Sequence, residues 1–241
     1  NSLVFVGPIL AGQPMAMRAA LLAFLLFGIL ASATYLLNDL MDLAADRSHP
    51  TKNRRPLASG LISVRHGLAM ALALILGAMV ASLLLLPFGC TLVLAAYLAV
   101  TLLYSTMLKQ MAMVDITVLA GLFTLRVLAG SLLVDGPISP WLLTVSMLLF
   151  LSLAAIKRYA ELHRVTASAG PGASARGYSQ PDLPILLATG IATGISAIVL
   201  FTIYLINVQY PRDIYHRPDA LWGVMPVLLI LSLIHISEPT R

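Results

Sequence analysis

The stretch that decides the architecture runs from Met15 to Asp46. It reads MAMRAALLAFLLFGILASATYLL and then NDLMDLAAD: twenty-three residues with Arg18 as the one charge, followed by four polar side chains, Asn38, Asp39, Asp42 and Asp46, within nine positions. A helix needs about 20 apolar residues to cross a hydrocarbon core of roughly 30 Å. Met15–Leu37 meets that length, and the acids then fall where the helix leaves the membrane. Working outward, the same kind of run recurs at Gly67–Leu86, Phe88–Leu108, Val114–Val134, Pro140–Ile156, Leu183–Asn207 and Ala220–Ile234, with Leu3–Leu10 as the end of an earlier span. The runs are rich in Leu and Ala and lack the alternation of barrel strands. The predicted fold class is therefore all-α, a polytopic membrane helical bundle with seven to eight spans in this sequence.

Composition excludes the soluble alternative. Of 241 residues, 59% are hydrophobic and 10% charged, against roughly a quarter charged in a soluble domain. One cysteine, Cys90, leaves neither a disulfide framework nor a cysteine zinc site. No basic leader precedes Leu3, so the chain reads as starting inside a longer protein. The apolar pattern breaks at Ser232, and 232–241 reads as a non-native tail behind a membrane domain covering 1–231.

Alternating crossings put the segments after spans one, three and five on one face. Arg47, Lys52, Arg54, Arg55, Arg65, Lys109, Lys157, Arg158, Arg164 and Arg176 fall there, ten of the fifteen Lys and Arg residues. An excess of short-loop cations marks the cytoplasmic side. The same face carries carboxylates, which a topology signal does not require. His163–Pro181, with its Ala-Ser-Ala-Gly-Pro-Gly-Ala-Ser-Ala run, reads as a flexible loop. His49, His66, His163 and His216 are scattered without ligand spacing, and the net charge of +5 reads as topology, with no nucleic-acid partner.

On a continuous helix Asn38, Asp42 and Asp46 are spaced four and four, with Asp39 three before Asp42, so all four project to one side. Three carboxylates on one face repel, and a divalent cation relieves the repulsion. Mg²⁺ takes one or two carboxylates plus substrate phosphate oxygens. The basic segment that follows, with Lys52, Arg54 and Arg55 between Pro50 and Pro56, holds phosphates in this reading. The alternative is that the acids pair with these cations as an ordinary solvated helix end.

Asn38-Asp39-x-x-Asp42-x-x-x-Asp46 followed by His49-Pro50-x-Lys52-x-x-Arg55-Pro56-x-x-x-Gly60 resembles the first signature of the UbiA superfamily of intramembrane prenyltransferases. The resemblance implies an all-helical bundle of about nine spans in the intact protein, with Asp39, Asp42 and Asp46 binding Mg²⁺ and the diphosphate of a donor. It covers essentially Leu3 to Leu231. Further along, Tyr104-Ser-x-x-Leu-Lys109, Asp115 and Leu125-Arg126-x-x-Ala129-Gly130 resemble the polyprenyl-phosphate phosphoribosyltransferase branch. Ubiquinone-type members carry two aspartates spaced by three in their second motif; here Asp115 stands without such a companion. Lys157-Arg158-Tyr159-x-Glu161 continues the resemblance. Gly177-Tyr178-x-x-x-Asp182 and Tyr215-x-x-Pro218 are similar to bacterial members whose complete chains carry a haloacid-dehalogenase-like domain ahead of the membrane part.

Arg126 lies inside a span, where a charge is costly and faces the bundle interior or a water-filled cavity. Eleven residues from Asp115, it returns to nearly the same side of the helix. It reads as a phosphate-steering group or as a structural cation. Lys157 and Arg158 read as substrate-binding cations or as helix-end anchors. The expected function is Mg-dependent transfer of phosphoribosyl from phosphoribosyl diphosphate to a polyprenyl phosphate in the bacterial inner membrane. Asp39, Asp42 and Asp46 are catalytic, with Asn38, Lys52, Arg54, Arg55, Tyr104, Lys109, Asp115, Arg126, Lys157, Arg158 and Glu161 binding substrates. Two other readings stay open: prenyl transfer to an aromatic acceptor, and a non-catalytic polyprenyl-binding or transport protein. The inverted repeats common in transporters are not visible in the sequence.

Overall fold

The computed structural model describes residues 1–48, 51–169, 176–209 and 223, all as helices and connections, with no strand among the described residues. The helices are α1 (Val6–Ala11, continuing a 3-10 turn over Ser2–Phe5), α2 (Ala16–Met41), α3 (Leu43–Ser48), α4 (Val64–Leu85), α5 (Phe88–Thr106), α6 (Val114–Ser131), α7 (Pro140–Ala169) and α8 (Leu183–Tyr204). Six of them, α2 and α4 to α8, are long and apolar enough to cross a membrane, and Ser2–Ala11 is a shorter apolar helix. The expected span at Ala220–Ile234, the tail, and the Tyr215 and Pro218 pattern lie outside the described residues, as do His49, Pro50 and residues 170–175.

Local chemistry sets the ends. Gly12 closes α1 in the left-handed region at φ +63°, which glycine adopts without steric cost. Ser63 caps α4, its hydroxyl accepting from the His66 N–H. Leu86, held extended ahead of Pro87, stops the same helix.

The chain forms two compact units, 1–105 with 125–138, and 106–124 with 139–241. In the first, α2 packs on α4. Ala16, Ala20, Ala23, Phe27 and Leu30 form the buried stripe of α2, and Gly67, Ala71, Ala78 and Ser82 that of α4. Small residues at such spacing let membrane helices approach closely. Leu76, Leu83, Leu84 and Leu85 point outward, where lipid is their solvent. In the second unit α7 packs on α8. A Cβ on Gly190 would lie 2.7 Å from Ile156 Cγ1, and the Ser152 hydroxyl donates to the Gly190 carbonyl at 2.7 Å. Trp141 and Tyr204 meet with their rings tilted by 44° where α7 begins and α8 ends, the place of an interfacial aromatic belt.

Two expectations are corrected. The fifth span does not end as a helix at Ile156: α7 runs on to Ala169, thirty residues in all, because hydropathy marks where lipid ends, while residues such as Lys157, Arg158, Ala160, Glu161 and Leu162 sustain a helix in water equally well. The loop predicted from His163 therefore begins later. The helix expected to run unbroken through Asn38–Asp46 is interrupted at Asp42, which leaves helical geometry at φ −88° and ψ 7° before α3 resumes.

Candidate functional site

The break at Asp42 redistributes the acidic motif. Asp42 accepts a hydrogen bond from the Asn38 amide at 3.1 Å. Asp39, on the last turn of α2, and Asp46, on α3, converge on one atom: Nη1 of Arg55 lies 2.8 Å from Asp39 Oδ1 and 2.8 Å from Asp46 Oδ2. Asp46 is 3% exposed. Lys52 Nζ stands 4.0 Å from the other Asp46 oxygen, and Arg54 is exposed on the same 3-10 turn. The expected face of three aligned carboxylates is thus a convergent pair plus Asp42. Among the described residues no three His, Cys, Asp or Glu side chains cluster closely enough to hold a metal.

The pair nevertheless fits Mg²⁺. Two oxygens each 2.8 Å from a common nitrogen lie within twice that distance, 5.6 Å, of each other. A cation bound at about 2.1 Å by two carboxylates needs their oxygens no more than about 4.2 Å apart, and substrate phosphate and water supply its remaining ligands. Arg55 Nη1 fills the space between the two carboxylates.

Elsewhere in the first unit, Arg126 donates to the Tyr97 hydroxyl at 3.0 Å and to the Asn1 side-chain oxygen at 2.9 Å. Its guanidinium lies over the rings of Tyr97 and Phe27, 4.7 and 5.8 Å from their centroids. Tyr97 and Phe27 are buried. Charge over an aromatic face is stabilised by the ring quadrupole, so neutral groups already hold this intramembrane cation. Tyr104 is half-buried near the end of α5.

The second unit has its own polar cluster. Asp115, in the first turn of α6, is fully buried and accepts from Arg158 Nε of α7 at 2.7 Å. Arg158, 5% exposed, also pairs with Glu161, whose second oxygen lies 3.8 Å from Arg176. Asp115 and Arg126, expected to share one side of a helix, thus have separate partners in separate units. Lys109 is half-buried on a 3-10 turn before α6, and Lys157 is exposed.

Tyr178 was not singled out as a site residue, and the structure gives it a defined task. Its ring is fully buried in a core of Ile116, Ala155, Leu162 and Leu186. Its hydroxyl accepts from the Met113 N–H at 2.8 Å, and the Arg158 guanidinium lies 5.9 Å from its centroid. Met113 has φ +64°, unusual for a residue with a side chain. Gly177 runs so close to the Gln110 carbonyl that a Cβ would stand 2.0 Å from its oxygen. Burial, joined by the nearby Asp115 and Asp182, pushes the Tyr178 phenol above its ordinary range, outweighing the Met113 bond and Arg158. The sequence signal was Gly-Tyr ahead of Asp182; nothing in it said that the tyrosine would dock on the turn before Asp115.

The model of the UbiA prenyltransferase family matches residues 2–235. The chain belongs to that family. UbiA family members are transferases, and the six membrane-length helices make this one an integral membrane protein. The protein y4nM of Sinorhizobium fredii is 39% identical over 226 residues, covering 92% of this chain and 43% of its own length. Decaprenyl-phosphate phosphoribosyltransferase of Mycobacterium tuberculosis is 41% identical over 144 residues, covering 59% of this chain and 47% of that protein. The chain thus spans less than half of either relative. A solved UbiA homolog from Archaeoglobus fulgidus, bound to DMAPP and Mg²⁺, superposes with a TM-score of 0.74 over 97% of this chain and 83% of that one, at 15% identity. That likeness establishes the UbiA fold.

Proposed function

We propose that this UbiA-family protein transfers phosphoribosyl from phosphoribosyl diphosphate to a polyprenyl phosphate, at a Mg²⁺ site formed by Asp39 and Asp46 with Asp42 beside them, facing the cytoplasm of a bacterial inner membrane. The observation that carries the reading is the convergence of Asp39 and Asp46 on Arg55, which puts two carboxylates and a phosphate-binding cation at one point. Two findings favour phosphoribosyl over prenyl transfer. The mycobacterial relative is a decaprenyl-phosphate phosphoribosyltransferase. The second motif offers Asp115 alone, and that carboxylate is committed to Arg158.

In this reaction the anomeric C–O bond to diphosphate breaks with both electrons leaving on diphosphate, and an oxygen of the lipid phosphate forms the new bond to the anomeric carbon. Mg²⁺, when bound, neutralises charge developing on the departing diphosphate. Arg55 and Lys52 hold the diphosphate oxygens as cationic donors, and exposed Arg54 adds a third. Asn38 fixes Asp42 through its amide. The nucleophile is already anionic, so no side chain need remove a proton. In the second unit Arg158 is engaged by Asp115 and Glu161.

The test is an assay of the full-length protein in detergent with labelled phosphoribosyl diphosphate and a polyprenyl phosphate, beside a prenyl diphosphate with an aromatic acid. Labelled phosphoribosyl lipid supports the reading. Product in the second reaction alone refutes it in favour of prenyl transfer to an aromatic acceptor.

A further inference from the structure

We infer that Arg55 is a stand-in for the metal: it holds Asp39 and Asp46 until donor arrives, so that a free divalent cation binds this site poorly and enters together with diphosphate. The inference rests on the metal-site reading above and goes beyond it to the order of assembly. One guanidinium nitrogen sits 2.8 Å from an oxygen of each carboxylate, inside the space a bridging cation would take. Both cannot occupy it, since an arginine in a protein keeps its charge and two positive charges at one point repel. A cation must therefore displace Arg55, and the displaced group needs a new anion.

Three features make the displacement feasible. Arg55 is 39% exposed on its side chain whereas Asp46 is 4% exposed, so the arginine is the partner with room to swing. Its backbone closes a short 3-10 turn, Lys52–Arg54, and is already extended at φ −62° and ψ 144°, so the side chain can leave without unwinding a helix. Lys52, 4.0 Å from Asp46 and 48% exposed, adds positive charge against a lone cation. A diphosphate reverses both obstacles, because it accepts bidentate bonds from the released guanidinium and supplies oxygens to the metal. Arg55 would thereby select the metal–diphosphate complex over the bare metal.

Opposite-signed effects follow for the two ligands. Mn²⁺ binding to the purified full-length protein, read by electron paramagnetic resonance with and without inorganic diphosphate, measures both. Removing the competitor in Arg55→Gln should tighten Mn²⁺ alone at least tenfold and weaken the diphosphate-dependent gain that the wild type shows. Arg55→Lys, which keeps one charge on a shorter reach, should fall between, and serves if the glutamine variant does not fold. Asp46→Asn should lower Mn²⁺ affinity in either background. Unchanged or weaker Mn²⁺ binding in both Arg55 variants, with Asp46→Asn still harmful, overturns the stand-in role and leaves the metal site. Indifference of Mn²⁺ binding to Asp46→Asn overturns the metal site itself, and the stand-in with it.

Discussion

Replacing Arg158 by methionine tests the second unit's polar cluster most directly. The substitution keeps much of the side-chain volume and removes the charge that faces Asp115, which is fully buried and 2.7 Å away. Breaking a buried ion pair by removing one member costs about 3–5 kcal/mol, because the remaining charge stays out of water. Glu161, 40% exposed, regains water when Arg158 is lost and adds little. For a chain of this size about 2–4 °C of melting temperature accompanies each kcal/mol, so the drop should be on the order of 10 °C. Asp115→Leu combined with Arg158→Met removes both charges together, and a pair replaced by apolar groups of similar volume is often neutral or stabilising. The double variant should therefore melt well above Arg158→Met alone. Tryptophan-fluorescence melting curves in one detergent give all values. A single variant within 2 °C of wild type (by the same scaling, roughly 1 kcal/mol or less), or a double variant no more stable than the single, would refute the argument that burial makes this pair interdependent.

Other expectations follow from the same geometry. Tyr178→Phe removes one hydrogen bond to the Met113 N–H and should cost about 1 kcal/mol of stability in the same melting assay. Because the folded-state phenol is raised above its ordinary value of about 10, its contribution is complete below pH about 10 and is lost as pH rises through the folded value. Alkaline melting curves should accordingly fall more steeply for wild type than for Tyr178→Phe; parallel curves would show the phenol to be unperturbed. Asp46→Asn should abolish turnover while leaving the melting temperature within a few degrees, and full activity in that variant or in excess chelator would mark the acidic motif as structural. Ser63→Cys and Gln110→Cys should react with a membrane-impermeant maleimide only from the cytoplasmic side of inverted vesicles, with buried Cys90 silent; labelling of either from the periplasm alone would overturn the orientation.

Sequence alone determined what depends on order along the chain. Membrane spans are read from local hydropathy, so six of the seven expected runs are found as long apolar helices, and the seventh lies outside the described residues. The spacing of Asn38, Asp39, Asp42 and Asp46 ahead of Arg55 and Pro56 was enough to point to the family. Partnership was legible only in part: pairing of the acids with the cations that follow them was one reading of the sequence, but which cation meets which acid was not. Arg55 meets carboxylates nine and sixteen residues away, Arg158 meets Asp115 across forty-three, and Tyr178 meets Met113 across sixty-five. The sequence made Arg126 a phosphate-binding candidate, and the fold supplied it with the faces of Tyr97 and Phe27. A side chain's type states which bonds it can make. Which one it makes is settled by competition among groups that only the packed helices bring within 3 Å or so, where desolvation obliges each buried charge to find a partner.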